Sequence, residues 1–451
     1  MVPTQLLSLC QFLSGASLDS TPLNVINHAK LVLLDTLGAI TGGSGTLEVR
    51  RIAEELCGAC GIKNGASCPG RTGYFHPLDA ALINGTAGSS LEYEEGNSWA
   101  MGHPAIQIVP AILAASEAKG LSGGDLLMGL IGGYEAATRV SRASSIHRGL
   151  HPNGTWGLIG CALGVACVHK KDPDALFEIA NIAASYALSS YVKNSFVGKN
   201  VASTFAGVVN YLGFLTNLLF DSGFRADPGS FEATFSQFVS EQLNAEFLSA
   251  NLGKEYAITT NYFKPYPTCR FTHPAIDALK AILERQRVNP HEVDRVTVSS
   301  FKAAVHTSSE APDNVEAMRF SLPYQMAVIL TYGKIGLDTM NEESLQNPTV
   351  ADLARKVELV FCPEYEQLRP RNNPATVTVL LKGGRPLSHE VMNCLGDPLK
   401  LMPEQTIHEK FLSLTEPILG KKNARDALKR LASLEHEDDI RSLFLLLRPN
   451  I

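Results

Sequence analysis

The sequence lacks the short signatures that usually announce cofactor chemistry. It has no HExxH, no Walker loop, no GxGxxG after a predicted strand and no GxSxG, so neither metal nor nucleotide nor flavin is implied. His147 and His151 are four apart, but Gly149 and Pro152 interrupt any helix that would put them on one face for a metal. It lacks runs of Lys or Arg, and its formal net charge is −6, which argues against non-specific nucleic-acid binding. The longest apolar stretches, such as 157–168, are short and rich in Gly and Ala, so no membrane partner is expected. The N-terminal segment has no positive n-region, and a cytoplasmic location is expected. Nine scattered cysteines, an odd count, do not suggest a disulfide framework. Cys57 and Cys60 have CxxC spacing, but neither a βαβ context nor a second ligand pair accompanies them. There is no internal repeat and no low-complexity segment.

What the sequence has in excess is histidine followed by proline. With 12 His and 24 Pro in 451 residues, chance gives about 0.6 such pairs, yet His76, His103, His151 and His273 all precede proline. Proline pushes its predecessor out of the α region and is itself favoured at the first position of a helix. A His-Pro step that opens a helix sets the imidazole beside the positive end of the helix dipole. That end binds carboxylates and keeps the ring neutral, able to act as a base. His103, His151 and His273 have polar company; His76 has only Tyr74, Phe75 and a helix start, and reads as structural.

Hydrophobic residues make up 45% and charged residues 19%, enough for a large packed core in two or three domains. The fold class is expected to be mainly α, a large all-helical domain with an inserted smaller α+β lid domain. Helices are predicted at 24–39, 77–91, 104–118, 122–140, 154–168, 172–188 and 202–219, with Ala and Gly so frequent that the bundle should be dense. Past 255 the pattern changes. β-branched alternation predicts strands at 293–300, 357–361 and 375–381, with a hairpin partner at 386–392, and helices at 274–286 and 323–332 are interleaved. Helices return at 403–414, 423–434 and 438–447. The domain boundaries are therefore 1–255 with 396–451 for the helical domain and 256–395 for the α+β module.

Three segments can carry chemistry. Glu92, Glu94 and Glu95 crowd three carboxylates into four positions at a predicted helix C-terminus, where mutual repulsion would raise at least one pKa. Such a patch can hold a proton, bind a cation or position His103. The Gly-rich loop around His147, Arg148, His151 and Asn153 is cationic and suits an anion, with Asn153 to Thr155 able to cap the next helix. The rigid stretch from Tyr262 to His273 carries Lys264 and Arg270, and Arg270 can clamp a carboxylate with two parallel bonds. These groups suit a small polycarboxylate substrate.

The motifs together resemble the MmgE/PrpD family, which includes 2-methylcitrate dehydratase, cis-aconitate decarboxylase and iminodisuccinate epimerase. The similar stretches include Ala81-Leu-Ile-Asn-Gly-Thr-Ala-Gly, Gly102-His103-Pro, Gly133-Tyr-Glu-Ala-Ala-Thr-Arg139, Gly149-Leu-His151-Pro and Lys264-Pro-Tyr-Pro-Thr-Cys-Arg-Phe-Thr-His273-Pro. Phe320-Ser-Leu-Pro-Tyr324 and Gly396-Asp-Pro follow. The resemblance implies a cofactor-free homodimer, active between its domains on small polycarboxylates by removing a proton or CO2 next to a carboxylate. It implies catalytic roles for His103, His151, Glu92 and His273, with Lys264, Arg270, Lys199 and Tyr324 binding substrate. Two departures stand out. Glu92-Tyr-Glu-Glu95 replaces the family's Asp-Phe-Asp-Asp, and the family lysine after the mid-chain helix falls near Ala202, with Lys199 one helical turn earlier as a substitute. A dehydratase of the 2-methylcitrate type is the first expectation. A decarboxylase of the cis-aconitate type, an epimerase of an iminodicarboxylate and a non-catalytic carboxylate-binding homologue are the alternatives.

Overall fold

Small residues set the spacing of the helices. The computed structural model describes residues 4–56, 65–187, 189–306 and 311–449, so Cys57 and Cys60 lie outside the described residues. Helix Gly123–Ala143 starts where Ser122 caps it, the hydroxyl accepting from Asp125 N at 3.1 Å. It runs along Trp156–Val168, an apolar helix in which Cys167 alone is not buried. A Cβ placed on Gly160 would lie 2.5 Å from the Ala137 Cβ and 2.8 Å from the Gly133 carbonyl, so the two backbones nearly touch. Pro77–Ser89 meets Thr204–Asp221 in the same way, a Cβ on Gly85 falling 2.7 Å from Gly207 Cα.

The chain is mainly α and divides into two compact units. The first holds the residues up to Tyr191, Ser203–Phe263 and everything from Pro403 on; the second holds Val192–Ala202 and Lys264–Met402. The units thus change at Phe263 and Pro403, a few residues beyond the boundaries read at 255 and 395, and Val192–Ala202 joins the second.

In the first unit the two ends of the chain meet. Helix Glu404–Leu419 packs on Leu23–Gly43 through Ile407, Phe411 and Leu414, and Lys410 Nζ reaches Asp35 Oδ1 at 2.7 Å in a fully buried pair. Lys410 also donates to the Tyr93 carbonyl at 2.6 Å, which ties the acidic turn to the bundle. The segment Asn200–Asp221 is long and apolar enough to cross a membrane, with mean hydropathy 1.2, and it exceeds the apolar stretches singled out from the sequence. Half of that window is buried, and Asn210 and Asn217 donate to the carbonyls of Ile106 and Ala162 at 2.8 and 2.9 Å, as an inner bundle helix requires. A two-strand ribbon that sequence reading missed pairs Ser144–Ile146 with Ser240–Leu243.

The second unit is built on a four-stranded sheet. Val293–Ser300 pairs in parallel with Val357–Phe361 and antiparallel with Ala375–Leu381, which turns through Gly383 and Gly384, both at positive φ, into Pro386–Val391. All three strands read at 293–300, 357–361 and 375–381 form with those bounds. One face carries Val296, Val298, Val377 and Val379 into a core with Ile276, Leu279 and Ile282 of helix His273–Arg285 and Met326 and Ile329 of Leu322–Tyr332. Alternation works here because one face is buried and the other is not.

Candidate active site

The carboxylates at 92, 94 and 95 do not end a helix. Helix Pro77–Ser89 is already capped at Ser90, and the acidic residues lie in the turn that follows. Glu92 takes φ +52°, the left-handed region that a non-glycine residue rarely enters, so the turn is held against local strain. Glu94 and Glu95 are buried, at 2% and 0% exposure, before Gly96–Asn97 pairs with Asn261–Tyr262. Burial, rather than the mutual repulsion expected from the sequence, raises Glu95 to about 8. Its three donors, Ala105 N at 2.9 Å, Tyr134 Oη at 2.9 Å and Asn261 Nδ2 at 3.3 Å, pull the other way without overcoming burial.

His103 follows eight residues later, before the short turn Ala105–Gln107 rather than at the head of a long helix. Its Nδ1 lies 2.8 Å from the Glu95 carbonyl, which can only accept, so Nδ1 carries the proton and Nε2 the lone pair. Glu94 Oε1 lies 3.9 Å from the same Nδ1. The resemblance gave the catalytic role to Glu92; of the acidic patch, Glu94 is the carboxylate beside the His103 ring. The edge of the His103 ring meets Tyr262 at 6.4 Å.

His151 is held the opposite way round. The Asn153 backbone N–H donates to its Nδ1 at 2.9 Å, which leaves the proton on Nε2. The cap of the next helix falls within the stretch read for it, at Thr155, though without a side-chain bond, and Asn153 Oδ1 accepts from Gln107 Nε2 at 3.1 Å. Gln107 also donates to the His103 carbonyl at 3.2 Å and accepts from Gly154 N, so one amide joins both histidine segments. Burial lowers His151 to about 4, the charge of His103 lowers it further, and that of Glu92 opposes both. The first unit therefore presents two imidazoles of opposite tautomer, one with an accepting and one with a donating Nε2.

His147 and Arg148 are not part of this arrangement. They flank the ribbon, with His147 Nδ1 4.0 Å from the exposed Glu241 and Arg148 exposed. His76 caps Pro77–Ser89 by accepting from Leu78 N at 3.4 Å, the structural role expected of it.

In the second unit Lys264 and His273 are fully buried. His273 is helical, at φ −59° and ψ −39°, and not the extended residue that a following proline predicts. The turn Arg270–Thr272 runs straight into the helix and overrides the preference. Its Nε2 lies 3.2 Å from the Thr268 carbonyl and its ring meets Tyr266 edge-on at 5.2 Å. Arg270 does meet a carboxylate, this chain's own Asp397, but through one nitrogen and not through the two parallel bonds expected, the other nitrogen donating to Cys394 Sγ; all three residues are buried. The Gly396-Asp397-Pro motif thus partners Arg270. Tyr324 sits half-buried at the start of Leu322–Tyr332, where Ser321 Oγ accepts from its N–H at 3.4 Å. Lys199 is exposed in a turn ahead of Asn200–Ser203, outside the helix in which it was to replace the missing lysine. The α-helix begins at Thr204, two residues after the position read for it.

Sequence reasoning placed Glu94 and Glu95 in the acidic patch without naming them as site residues, and it missed Gln107, Tyr134, Asn261 and His28. Tyr134 lay within a stretch quoted for the resemblance, and Asn261 lies three residues before Lys264, so both were within reach of a closer reading. Glu135 and Arg139 of that same stretch pair at 2.8 Å in the core and brace the 247–257 segment, a structural duty. Among the described residues no group of three or more His, Cys, Asp or Glu could hold a metal ion.

Comparison with known proteins matches the MmgE/PrpD N-terminal domain to residues 7–241 and the MmgE/PrpD C-terminal domain to residues 266–435. A cis-aconitate decarboxylase of Aspergillus terreus is 25% identical over 481 residues, covering 97% of this chain and 95% of its own. The cis-aconitate decarboxylases of Mus musculus and Homo sapiens are 23% and 24% identical, covering 98% and 94% of this chain and 93% and 90% of theirs. With both halves of the sequence matched in order, the chain belongs to the MmgE/PrpD family and is an enzyme, a lyase or isomerase.

Proposed function

We propose that this enzyme decarboxylates a tricarboxylate of the cis-aconitate type. The observation that carries the reading is end-to-end similarity to cis-aconitate decarboxylases of fungal and mammalian origin. It displaces the 2-methylcitrate dehydratase that stood first from the sequence. In such a decarboxylation the carboxylate on the methylene carbon leaves as CO2. Its bonding pair forms a new double bond, the old one opens, and the far alkene carbon takes a proton. The step needs a proton donor at carbon and partners for the remaining carboxylates.

His103 takes a proton from solvent at Nε2, becoming an imidazolium whose charge Glu94 beside Nδ1 offsets, and delivers it to the alkene carbon, which returns Nε2 to its lone pair. His151 is kept neutral by burial and offers its Nε2–H as a hydrogen bond that orients the substrate. Lys264 is the cation for a carboxylate, while Arg270, held by Asp397, braces the loop that carries Lys264. Glu92 acts on the substrate from the first unit and His273 and Tyr324 from the second, and Lys199 contributes a flexible point charge. The reading also takes the protein as a cofactor-free cytoplasmic homodimer whose α+β unit is a lid.

The test is incubation with cis-aconitate, 2-methylcitrate, citrate and iminodisuccinate in D2O, followed by NMR. CO2 release from cis-aconitate, with one deuterium at the carbon that was protonated, is expected. Water loss from 2-methylcitrate without CO2 would return the assignment to a dehydratase. His103→Ala and His151→Ala should each lose about 10²–10⁴-fold in turnover with the fold intact; near-normal activity in either removes that residue from the mechanism.

A further inference from the structure

A chain of hydrogen bonds runs from His103 to a cleft that His103 does not line. Glu95 holds His103 twice. Its carbonyl takes the ring Nδ1–H at 2.8 Å, and its side-chain Oε1 takes the backbone N–H of Ala105, just past Pro104, at 2.9 Å. Oε2 of Glu95 receives Tyr134 Oη and Asn261 Nδ2. The amide of Asn261 is oriented in turn by His28, whose Nε2 lies 2.6 Å from Asn261 Oδ1. An amide oxygen only accepts, so His28 donates through Nε2–H and Asn261 presents Nδ2 to Glu95. His28 stands on helix Leu23–Gly43 in a cleft of about 470 Å³ lined also by Asn24, Asn27, Lys30 and His408.

We propose that Glu95 is a positioning residue: its backbone carbonyl fixes the tautomer of His103, its side chain anchors that carbonyl and Ala105 in register, and Asn261 and His28 hold the side chain in place from this cleft. The proposal rests on His103 being the proton carrier named above, because only there does the tautomer decide turnover. A decarboxylase must keep Nε2 as the atom that takes up and delivers the proton. A ring free to flip would present Nδ1 instead and lose one productive geometry.

The chemistry of substitution follows from the donor directions. In Glu95→Gln only one oxygen remains, and the Ala105 N–H claims it. The new NH2 then faces Asn261, whose amide must turn over, and His28 must become an acceptor. His28→Leu removes the outer donor, whereas His28→Gln keeps an N–H of similar reach.

The experiment uses full-length protein labelled with ¹⁵N-histidine, with His103→Ala assigning the His103 signal. The wild type should carry the His103 proton on Nδ1. His28→Leu and Glu95→Gln should show a mixed or reversed tautomer, and His28→Gln should match the wild type. Turnover should follow, kcat falling about tenfold or more in His28→Leu with KM little changed, and recovering in His28→Gln. His103 on Nδ1 in every variant, or His28→Leu and His28→Gln behaving alike, overturns the relay. Full activity in His103→Ala would instead overturn the role of His103, and the tautomer measurement keeps the two failures apart because it needs no substrate.

Discussion

At the residue scale, three groups, one buried and two half-buried, make the protein sensitive to pH in opposite senses. Burial holds His151 at about 4 against an ordinary 6.5. As pH falls through that interval the unfolded chain takes up a proton that the folded chain refuses, so stability is lost toward acid. His169, also held at about 4, adds in the same direction. Glu95 is raised to about 8 from 4.5, so the folded chain keeps a proton that the unfolded chain releases, and its contribution fades as pH rises across that span. Urea unfolding over a pH series should therefore show His151→Gln with a flatter acid side and Glu95→Gln with a flatter alkaline side. The residues behind these effects were unevenly legible. His103 and His151 stood out because proline follows each, a local pattern. Glu95 and His28 matter through Asn261, far from both in sequence, and no spacing rule exposes that contact. The Asp397 partner of Arg270 was hidden for the same reason, since it lies in another segment.

At the scale of elements, legibility tracked burial geometry. The strands at 293–300, 357–361 and 375–381 alternate because one face of the sheet is packed, and their bounds could be read directly. Helices gave their existence but not always their ends: the one read at 172–188 stops at Ala184, and the one read at 438–447 is a turn of helix, Arg441–Phe444, followed by a tighter one. The short ribbon of Ser144–Ile146 and Ser240–Leu243 escaped because strands of three and four residues have no period to see. The close-packed glycines carry the clearest consequence. Gly160→Ala puts a methyl 2.5 Å from the Ala137 Cβ, with backbone on either side and no flexible end to yield. Overpacking of this kind costs about 1–3 kcal/mol, and the loss should appear as a lowered thermal midpoint. Gly149→Ala, where nothing lies within 4 Å but φ is +101°, should lose stability through backbone strain instead, and less of it.

At the scale of the whole molecule, the first unit is assembled from distant stretches of chain, and the segment after Pro403 closes it. Lys410 neutralises Asp35 in the interior, and removing one partner of such a pair costs about 3–5 kcal/mol. Lys410→Met should therefore unfold at markedly lower urea, and Asp35→Leu added to it should recover much of the loss, because the stranded carboxylate is gone. Ending the chain at Met402 does more. It removes Lys410 together with Ile407, Phe411, Leu414 and Leu419, all buried, and uncovers the face of Leu23–Gly43 on which they pack. Four such side chains contribute about 6–12 kcal/mol, which is comparable with the whole stability of a domain. It also cuts the bonds from Gly70 N to Leu447 O at 2.8 Å and from Gly123 N to Glu437 O at 2.7 Å, so the loss reaches helices far from the cut. The truncated protein should fail to reach a soluble folded state, as judged by soluble yield and far-ultraviolet circular dichroism, while Lys410→Met still folds at low temperature. A truncated chain with native helicity and an unchanged midpoint would mean that the first unit is complete without its C-terminal helices, and that the buried pair closes nothing.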